Sequence, residues 1–301
     1  MKFATVFYGG ETVAGVIDPA KRLFWPLSRI RPDLPRSAGS DLAAAIPYLM
    51  DGGLACEPSQ AIAVDKIRLC SPLTQTPHNI LCVGKNYRAH ALEFARSGFD
   101  ASSASSDTIP EFPIIFSKPS SSIIGPDSEI PLLAGLDQAV DYEVELAVVI
   151  GRRGRAIAKQ DAMSHVFGYT IVNDVTARDL QQRHKQWLLG KGIDGFCPMG
   201  PWIVVRDEID YRDMRVICRV NGETRQDAST RDLIFDIPDL IETISLSMTL
   251  EPGDVIATGT PEGVGIGFNP PRFLKAGDLV ECEITGIGRL SNVVANVAGR
   301  A

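Results

Sequence analysis

The stretch that decides the fold is DYEVELAVVIG, residues 141–151, and it is complemented by HVFGYTIVNDVTARDLQQR at 165–183. The first stretch predicts a β-strand, in which side chains two positions apart share a face. Glu143 and Glu145 then project together, with apolar residues on the opposite face. The second stretch predicts another strand that ends at Asp174, with a helix after it. Asp174 is therefore a candidate third carboxylate beside the pair.

These three carboxylates predict a metal site. Neighbouring carboxylates repel each other, and a buried anion is costly unless a cation compensates it. With no nearby pair of cysteines or histidines, an all-oxygen site suits Mg²⁺ or Mn²⁺ better than Zn²⁺. The alternative is that Glu143 and Glu145 form the solvent face of an ordinary amphipathic strand.

The composition is that of a globular protein. The chain has 301 residues, of which 45% are hydrophobic and 22% charged, and a formal net charge of -7. These values are typical of a soluble globular protein and disfavour nucleic-acid binding. We expect no membrane span, because no apolar run reaches 18 residues, and no signal peptide. Six scattered cysteines without a CxxC pair indicate reduced thiols. A cytoplasmic protein is expected.

Two segments are predicted. Residues 1–72 form a small N-terminal α/β domain: KFATVFYGG and ETVAGVID predict a β-hairpin, and 41–50 a short helix. Turn-forming prolines near residues 72–77 mark the boundary. Residues 73–301 form the main domain.

A candidate acid–base pair lies in NILCVGKNYRAHALEFARSGFD, residues 79–100. A strand is followed by a predicted helix on which His90 and Glu93, three apart, are neighbours. A carboxylate beside an imidazole orients the ring and raises its basicity, which suits activation of a water molecule. The alternative is an incidental pair on a surface helix. The polar run at 97–110 is predicted to be a hinge that makes this helix a lid, or else a loop without function.

Two lysines and a glycine-rich loop complete the candidates. Lys191 lies between two glycines, where an ammonium group could hold an anionic substrate or a developing oxyanion; the alternative is an exposed lysine. Lys118 has either a role in the site or a structural one. The loop at 258–267 matches no nucleotide-binding pattern. Its backbone amides and the Thr260 hydroxyl could hold a substrate carboxylate, or the loop is only a tight turn.

Taken together, the chain resembles the fumarylacetoacetate hydrolase family. Six segments carry the resemblance, in the family's order: VGKNYRAHALE, FSKPSS, DYEVELAVVIG, YTIVNDVTARDLQ, GKGIDGFCPMGPW and ATGTPEGVG. The resemblance implies an α+β, mainly β fold, a β-sandwich roll of layered mixed sheets with a few short helices, with 73–301 as the catalytic domain. It also implies a homodimer. The chain lacks the large N-terminal domain of the tyrosine-pathway hydrolase, which leaves the substrate open.

The resemblance also implies roles for individual residues. It implies Mg²⁺ or Mn²⁺ held by Glu143, Glu145 and Asp174, a lid pair of His90 and Glu93, and Lys191 as a catalytic lysine. Arg178, Gln181 and Thr260 match positions that bind substrate.

The activity expected from the resemblance is metal-dependent hydrolysis of a carbon–carbon bond in acylpyruvates or related 2,4-dioxo acids, which releases pyruvate. Alternatives that use the same enolate are oxaloacetate decarboxylation and the isomerisation or decarboxylation of dienoic oxo acids from aromatic degradation. A binding protein that retains the fold is the non-enzyme alternative.

Overall fold

Short strands dominate the structure, a computed structural model that describes residues 1–50, 54–98, 109–133 and 139–297. The strands are β1 Lys2–Tyr8, β2 Glu11–Asp18, β3 Leu23–Pro26, β4 Ile62–Ala63, β5 Arg68–Leu69, β6 Ile80–Gly84, β7 Ile114–Lys118, β8 Ile123–Ile124, β9 Glu129–Leu133, β10 Val140–Asp141, β11 Val144–Ile150, β12 Val166–Asn173, β13 Thr176–Ala177, β14 Cys197–Val205, β15 Arg215–Val220, β16 Glu223–Ser229, β17 Val255–Ala257, β18 Leu279–Ile284 and β19 Gly288–Val297. The helices are α1 Leu27–Ile30, α2 Leu42–Leu49, α3 Arg88–Arg96, α4 Arg178–His184, α5 Leu188–Lys191 and α6 Ile237–Ser247.

The strands form mixed sheets. The largest runs β4-β3-β2-β1-β14-β12-β11-β17-β6-β7, with β5 on β1 and β8 on β14. A second sheet runs β16-β15-β18-β19-β9, and β10 pairs with β13. Parallel pairing occurs at β6–β17, β8–β14 and β9–β19, and the other pairs are antiparallel. The predicted fold, mainly β with layered mixed sheets and short helices, is confirmed.

Strand β11 lies at the centre and is buried on both faces. Leu146 and Val148 pack in the core shared with the five-stranded sheet and α6, whereas Ala147 packs in a second core on the other face. A strand covered on both sides has no solvent face. The alternative that Glu143 and Glu145 lie on a solvent-exposed face is therefore wrong, and both side chains are buried.

The N-terminal segment continues the large sheet. Phe3 of β1 pairs with Ile203 of β14, and Trp25 and Ile46 pack in the same core as Ala147. Backbone hydrogen bonds and apolar packing thus cross the proposed boundary. The division at residue 72 stays a prediction.

The glycines and prolines of the stretch at 186–204 favour an irregular loop, but the stretch contains α5 and most of β14. Strand β14 tolerates Pro198 and Pro201 because β12 and β8 pair with it and fix its path. The predicted hinge at 97–110 lies largely outside the described residues.

Two expectations from composition can be compared with the structure. Within the described ranges, no helix combines the length and apolar character needed to cross a bilayer. All six cysteines are free thiols, and four of them are buried. This agrees with the expectation of reduced thiols.

Candidate metal centre and its pocket

Strand pairing brings the three carboxylates together. Strands β11 and β12 are antiparallel, with Val144 opposite Asn173, so Glu143 precedes one strand where Asp174 follows the other. The Asp174 N–H donates to the Glu143 carbonyl at 2.8 Å, and Glu145 follows two residues along β11. One oxygen from each of the three carboxylates lies within 4.8 Å of the others, and all three residues are buried. The predicted convergence is present.

Two buried lysines contact this cluster. Lys191 Nζ lies 2.8 Å from Glu143 Oε2 and 2.7 Å from Asp174 Oδ2, and Lys118 Nζ lies 2.6 Å from Asp174 Oδ1. Lys191 is 2% exposed, so the alternative of an exposed lysine is wrong. Burial alone would lower the pKa of Lys191, but the charges of Asp174 and Glu143 outweigh it and raise the pKa. Lys191 is therefore a cation at neutral pH.

The carboxylates have unequal surroundings. Burial would raise the pKa of Glu143, but the charges of Lys191 and Arg178 outweigh burial and lower this pKa to about 2. Glu145 accepts a backbone N–H from Gly259 at 2.9 Å. Burial, followed by the charges of Asp174 and Glu143, raises the pKa of Glu145 well above its usual range. The negative charge of the cluster is therefore least compensated at Glu145.

Arg178 joins the cluster to a further carboxylate that the sequence did not single out. Its Nε donates to Asp141 Oδ2 at 2.9 Å, and its NH2 lies 2.6 Å from Glu143 Oε1. Its NH1 donates to Gln181 Oε1 at 3.2 Å. Arg178 and Gln181 thus lie beside the candidate ligands, and Asp141 holds the guanidinium in place.

His90 and Glu93 form a pair at the edge of the site. His90 Nδ1 lies 3.3 Å from Glu93 Oε2, and Glu93 Oε1 accepts the Gly263 N–H at 3.0 Å. His90 is 5% exposed and lines the same pocket as Glu143 and Glu145. His90 therefore faces the carboxylate cluster, and Glu93 lies behind it.

The glycine-rich loop at 258–267 is placed by β17, which pairs with β11. Its amides serve carboxylates of the chain itself: Gly259 holds Glu145, Gly263 holds Glu93, and two further amides hold Asp141. These four amides are engaged within the chain, and the role of the loop in substrate binding stays a prediction.

Thr260 lines the pocket, but its hydroxyl is also engaged. The hydroxyl donates to the Val144 carbonyl at 3.0 Å and accepts from Gln226 Nε2 at 2.8 Å. A hydroxyl has one hydrogen, so Thr260 presents no free donor to a substrate.

The pocket over the cluster has a volume of about 20 Å³, room for about one water molecule. Its walls combine aromatic rings with charged groups: Val83, Gly84, Lys85, His90, Phe94, Phe116, Glu143, Glu145, Arg178, Gln181, Trp187, Lys191 and Thr260. Sequence reasoning missed Lys85 and the three aromatic residues as parts of the site. Lys85 lies in the quoted segment VGKNYRAHALE, five residues before His90, and that proximity is the only signal that could have identified it.

A divalent cation fits these donors. Oxygen ligands about 2.1 Å from Mg²⁺ lie roughly 3 to 4 Å from one another, so small side-chain shifts would bring the three carboxylates into range. The raised pKa of Glu145 shows that the ionised form of this buried carboxyl is unfavourable, and a bound cation would favour it. Four carboxylates, Asp141 included, face the three cations Lys118, Arg178 and Lys191. The fully ionised cluster thus carries one net negative charge.

The mixed-sheet β fold thus carries a buried carboxylate triad beside a histidine–glutamate pair. The chain belongs to the fumarylacetoacetate hydrolase family, since the model described as "Fumarylacetoacetate (FAA) hydrolase C-terminal" matches residues 79–295. The predicted family is thereby confirmed.

Three known proteins are similar to the chain. Oxaloacetate tautomerase YisK of Bacillus subtilis is 49% identical over 233 residues, which cover 77% of this chain and 74% of the relative. A fumarylacetoacetate hydrolase structure from Exiguobacterium antarcticum aligns with TM-score 0.83 and 40% identity over 99% of this chain and 100% of the other. A 5-carboxymethyl-2-hydroxymuconate delta-isomerase structure from Mycobacterium smegmatis aligns with TM-score 0.77 and 33% identity over 99% and 100%. The chain is thus an enzyme of this superfamily.

Proposed function

We propose that the protein catalyses the keto–enol tautomerisation of oxaloacetate or a closely related 2-oxo dicarboxylic acid. The observation that carries the proposal is the buried triad of Glu143, Glu145 and Asp174, of which Glu143 and Glu145 line one small pocket with His90. The choice of oxaloacetate is supported by the activity named for the 49% identical relative.

The charge of the site suits an anionic substrate. A divalent cation held by Glu143, Glu145 and Asp174 would convert one net negative charge into one net positive charge. It would supply Lewis-acid polarisation of a 2-oxo oxygen and stabilise negative charge on it. A 2-oxo carboxylate matches that charge.

His90 is suited to move the proton. With Nδ1 directed at Glu93, the ring donates that hydrogen to the carboxylate and presents a basic Nε2. Nε2 takes a proton from C3 of the keto form, and the same proton returns to the 2-oxo oxygen to give the enol. Lys191 uses two of its three hydrogens on Glu143 and Asp174, and the third can stabilise the developing oxyanion.

The test follows enol absorbance when oxaloacetate is added to protein loaded with Mg²⁺ or Mn²⁺. We expect faster equilibration of keto and enol forms with wild type, loss of the effect in EDTA, and at least about a hundredfold loss of rate in His90→Ala. His184→Ala, which removes an exposed histidine of α4, is the matched control and should keep the wild-type rate. No acceleration by the metal-loaded wild type would refute the proposal.

Hydrolysis of acylpyruvates, the activity first expected, is the second candidate. The His90–Glu93 pair favours it, because this pair can also deprotonate a water molecule, and the cavity has room for one. Assaying acetylpyruvate for release of pyruvate separates the candidates. If hydrolysis of acetylpyruvate is faster than tautomerisation of oxaloacetate, hydrolysis becomes the preferred function.

Oxaloacetate decarboxylation and isomerisation of dienoic oxo acids use the same enolate chemistry and are checked by the same assays. A role confined to binding would show as no turnover of any of these acids. The homodimer, the cytoplasmic location, the absence of nucleic-acid and membrane partners, and the choice between Mg²⁺ and Mn²⁺ stay predictions.

A further inference from the structure

We propose that Lys85 binds the second carboxylate of the substrate and thereby selects dicarboxylic acids over 2-oxo acids with an uncharged tail. The inference deepens the proposed function and rests on it for the 2-oxo acid end of the ligand. It names a specificity residue outside the set predicted from the sequence.

Lys85 faces the pocket over the carboxylate cluster. It is 8% exposed and lines the cavity together with Glu143 and His90. Because electrostatic attraction is screened less in such surroundings than at an open surface, an ammonium group there attracts an entering anion strongly. An acid held at the carboxylate cluster lies in the pocket that Lys85 lines.

The backbone holds Lys85 in an unusual conformation. Its φ of 56° is in the left-handed region, which non-glycine residues adopt uncommonly. The neighbouring Asn86 side chain fixes the chain there: it donates to the Thr258 carbonyl at 2.7 Å and to the Phe235 carbonyl at 3.0 Å, and accepts the Phe235 N–H at 2.8 Å. Such conformations persist where the surroundings impose them, and they cluster at functional sites.

Two cations of the pocket lie near one aromatic ring. Lys85 Nζ lies 5.4 Å and Arg178 Cζ 5.9 Å from the centre of the Phe94 ring. Arg178 is held by Asp141 and Glu143, and Lys85, which follows β6, lines the same pocket. A substrate with two carboxylates then places one at the carboxylate cluster and the other at Lys85.

The test measures binding, so it does not depend on turnover. Malate and 2-hydroxybutyrate are unreactive probes that differ by a carboxylate in place of a methyl group. By calorimetry on Mg²⁺-loaded protein, we expect wild type to bind malate about tenfold or more tightly, as a charge-assisted pair allows. Lys85→Met should remove most of this preference, and Lys85→Arg should retain it. The KM for oxaloacetate should rise in Lys85→Met with little change in kcat.

Lys185→Met is the matched control, because Lys185 is also left-handed, with φ of 59°, but is exposed. It should keep the wild-type preference. If Lys85→Met fails to fold, Lys85→Asn replaces it, because asparagine tolerates the left-handed region. The assignment is overturned if a folded Lys85 variant keeps the wild-type ratio of malate to 2-hydroxybutyrate affinity. It is also overturned if wild type binds both probes equally. If Lys85→Met loses the preference for malate but wild type shows no tautomerase activity, the proposed reaction is rejected. The assignment of Lys85 to carboxylate binding then still holds.

Discussion

Glu145 differs from the other two members of the triad. Glu143 and Asp174 each contact a cationic side chain at 2.8 Å or less, whereas Glu145 accepts a neutral amide from Gly259. Its pKa is raised by burial and by the two neighbouring carboxylates. The raised pKa means that Glu145 keeps its proton to a higher pH than an ordinary glutamate.

Binding of Mg²⁺ should therefore release a proton. The metal takes the carboxylate form of Glu145, so metal affinity should fall as pH drops below the raised pKa and rise as pH increases through it. Calorimetry in two buffers of different ionisation enthalpy measures the effect, with release of up to about one proton per metal. Glu145→Gln should bind Mg²⁺ weakly and release fewer protons per metal bound than wild type. Identical binding enthalpies in both buffers would contradict the expectation.

Lys118, left open between two roles by the sequence, holds a candidate ligand in place. It is fully buried and donates to Asp174 Oδ1 and to the Val175 carbonyl at 3.0 Å. Lys118→Met should weaken Mg²⁺ affinity by about 10- to 100-fold, as loss of a residue that orients a ligand does. The variant should also lose stability, because Asp174 then keeps, among the described residues, only Lys191 as a cationic partner.

Lys159→Met is the control for this prediction, because it removes an exposed lysine that pairs with Asp239 on the surface. It should leave metal affinity at the wild-type value. Titration with Mg²⁺ and denaturant unfolding measure both quantities. Equal metal affinity in Lys118→Met and wild type would make Lys118 purely structural.

At the scale of elements, the loop at 258–267 organises the site. Its backbone amides hold Glu145, Glu93 and Asp141, so one loop contacts a candidate ligand, the acid–base pair and the support of Arg178. Gly267 leaves room for the Glu93 carboxylate, which lies where a Cβ atom would be. The absence of a side chain at Gly267 is therefore needed for the present position of Glu93.

Gly267→Ala should displace Glu93 and leave the fold intact, because the displaced atoms are the free end of a flexible side chain. We expect a rate loss of about ten- to a hundredfold through misorientation of His90, with a changed pH profile and an unchanged melting temperature. Gly39→Ala, at a position where a Cβ meets only ordinary contact at 3.6 Å, is the control. A wild-type rate and pH profile in Gly267→Ala would remove the loop from catalysis.

Site residues that are close in the sequence could be predicted, whereas contacts between distant segments could not. The period of a strand was enough to place Glu143 beside Glu145, and the turn of a helix placed His90 near Glu93. Asp174 required the register of β11 on β12, which only the structure shows. The role of the amides of 258–267 was left open between substrate binding and a tight turn, because the sequence does not reveal which acceptor an N–H meets. Lys85 and Asp141 depend on contacts between distant segments, and the sequence did not identify their roles.

The whole molecule places the metal centre between two cores. The face of β11 that carries Glu145 continues into Ala147, which packs against the N-terminal segment, while the opposite face packs on the second sheet. A cation at this position should stabilise the entire fold, since it contacts strands that both cores share.

Mg²⁺ or Mn²⁺ at a hundred times its dissociation constant should add about 2.7 kcal/mol to the free energy of unfolding. Thermal unfolding with metal and with EDTA measures the shift. The shift should vanish in Asp174→Asn and persist in Glu11→Gln, which alters an exposed carboxylate of β2. The same shift in Asp174→Asn as in wild type would place the stabilising metal elsewhere.

Helix α3 carries His90 and Phe94, two walls of the pocket, and we expect it to move when substrate enters and product leaves. If that motion is slower than the proton transfers, it limits kcat, and kcat should fall as added sucrose raises the viscosity of the solvent. In His90→Ala the proton transfer is slow, so kcat should not depend on viscosity.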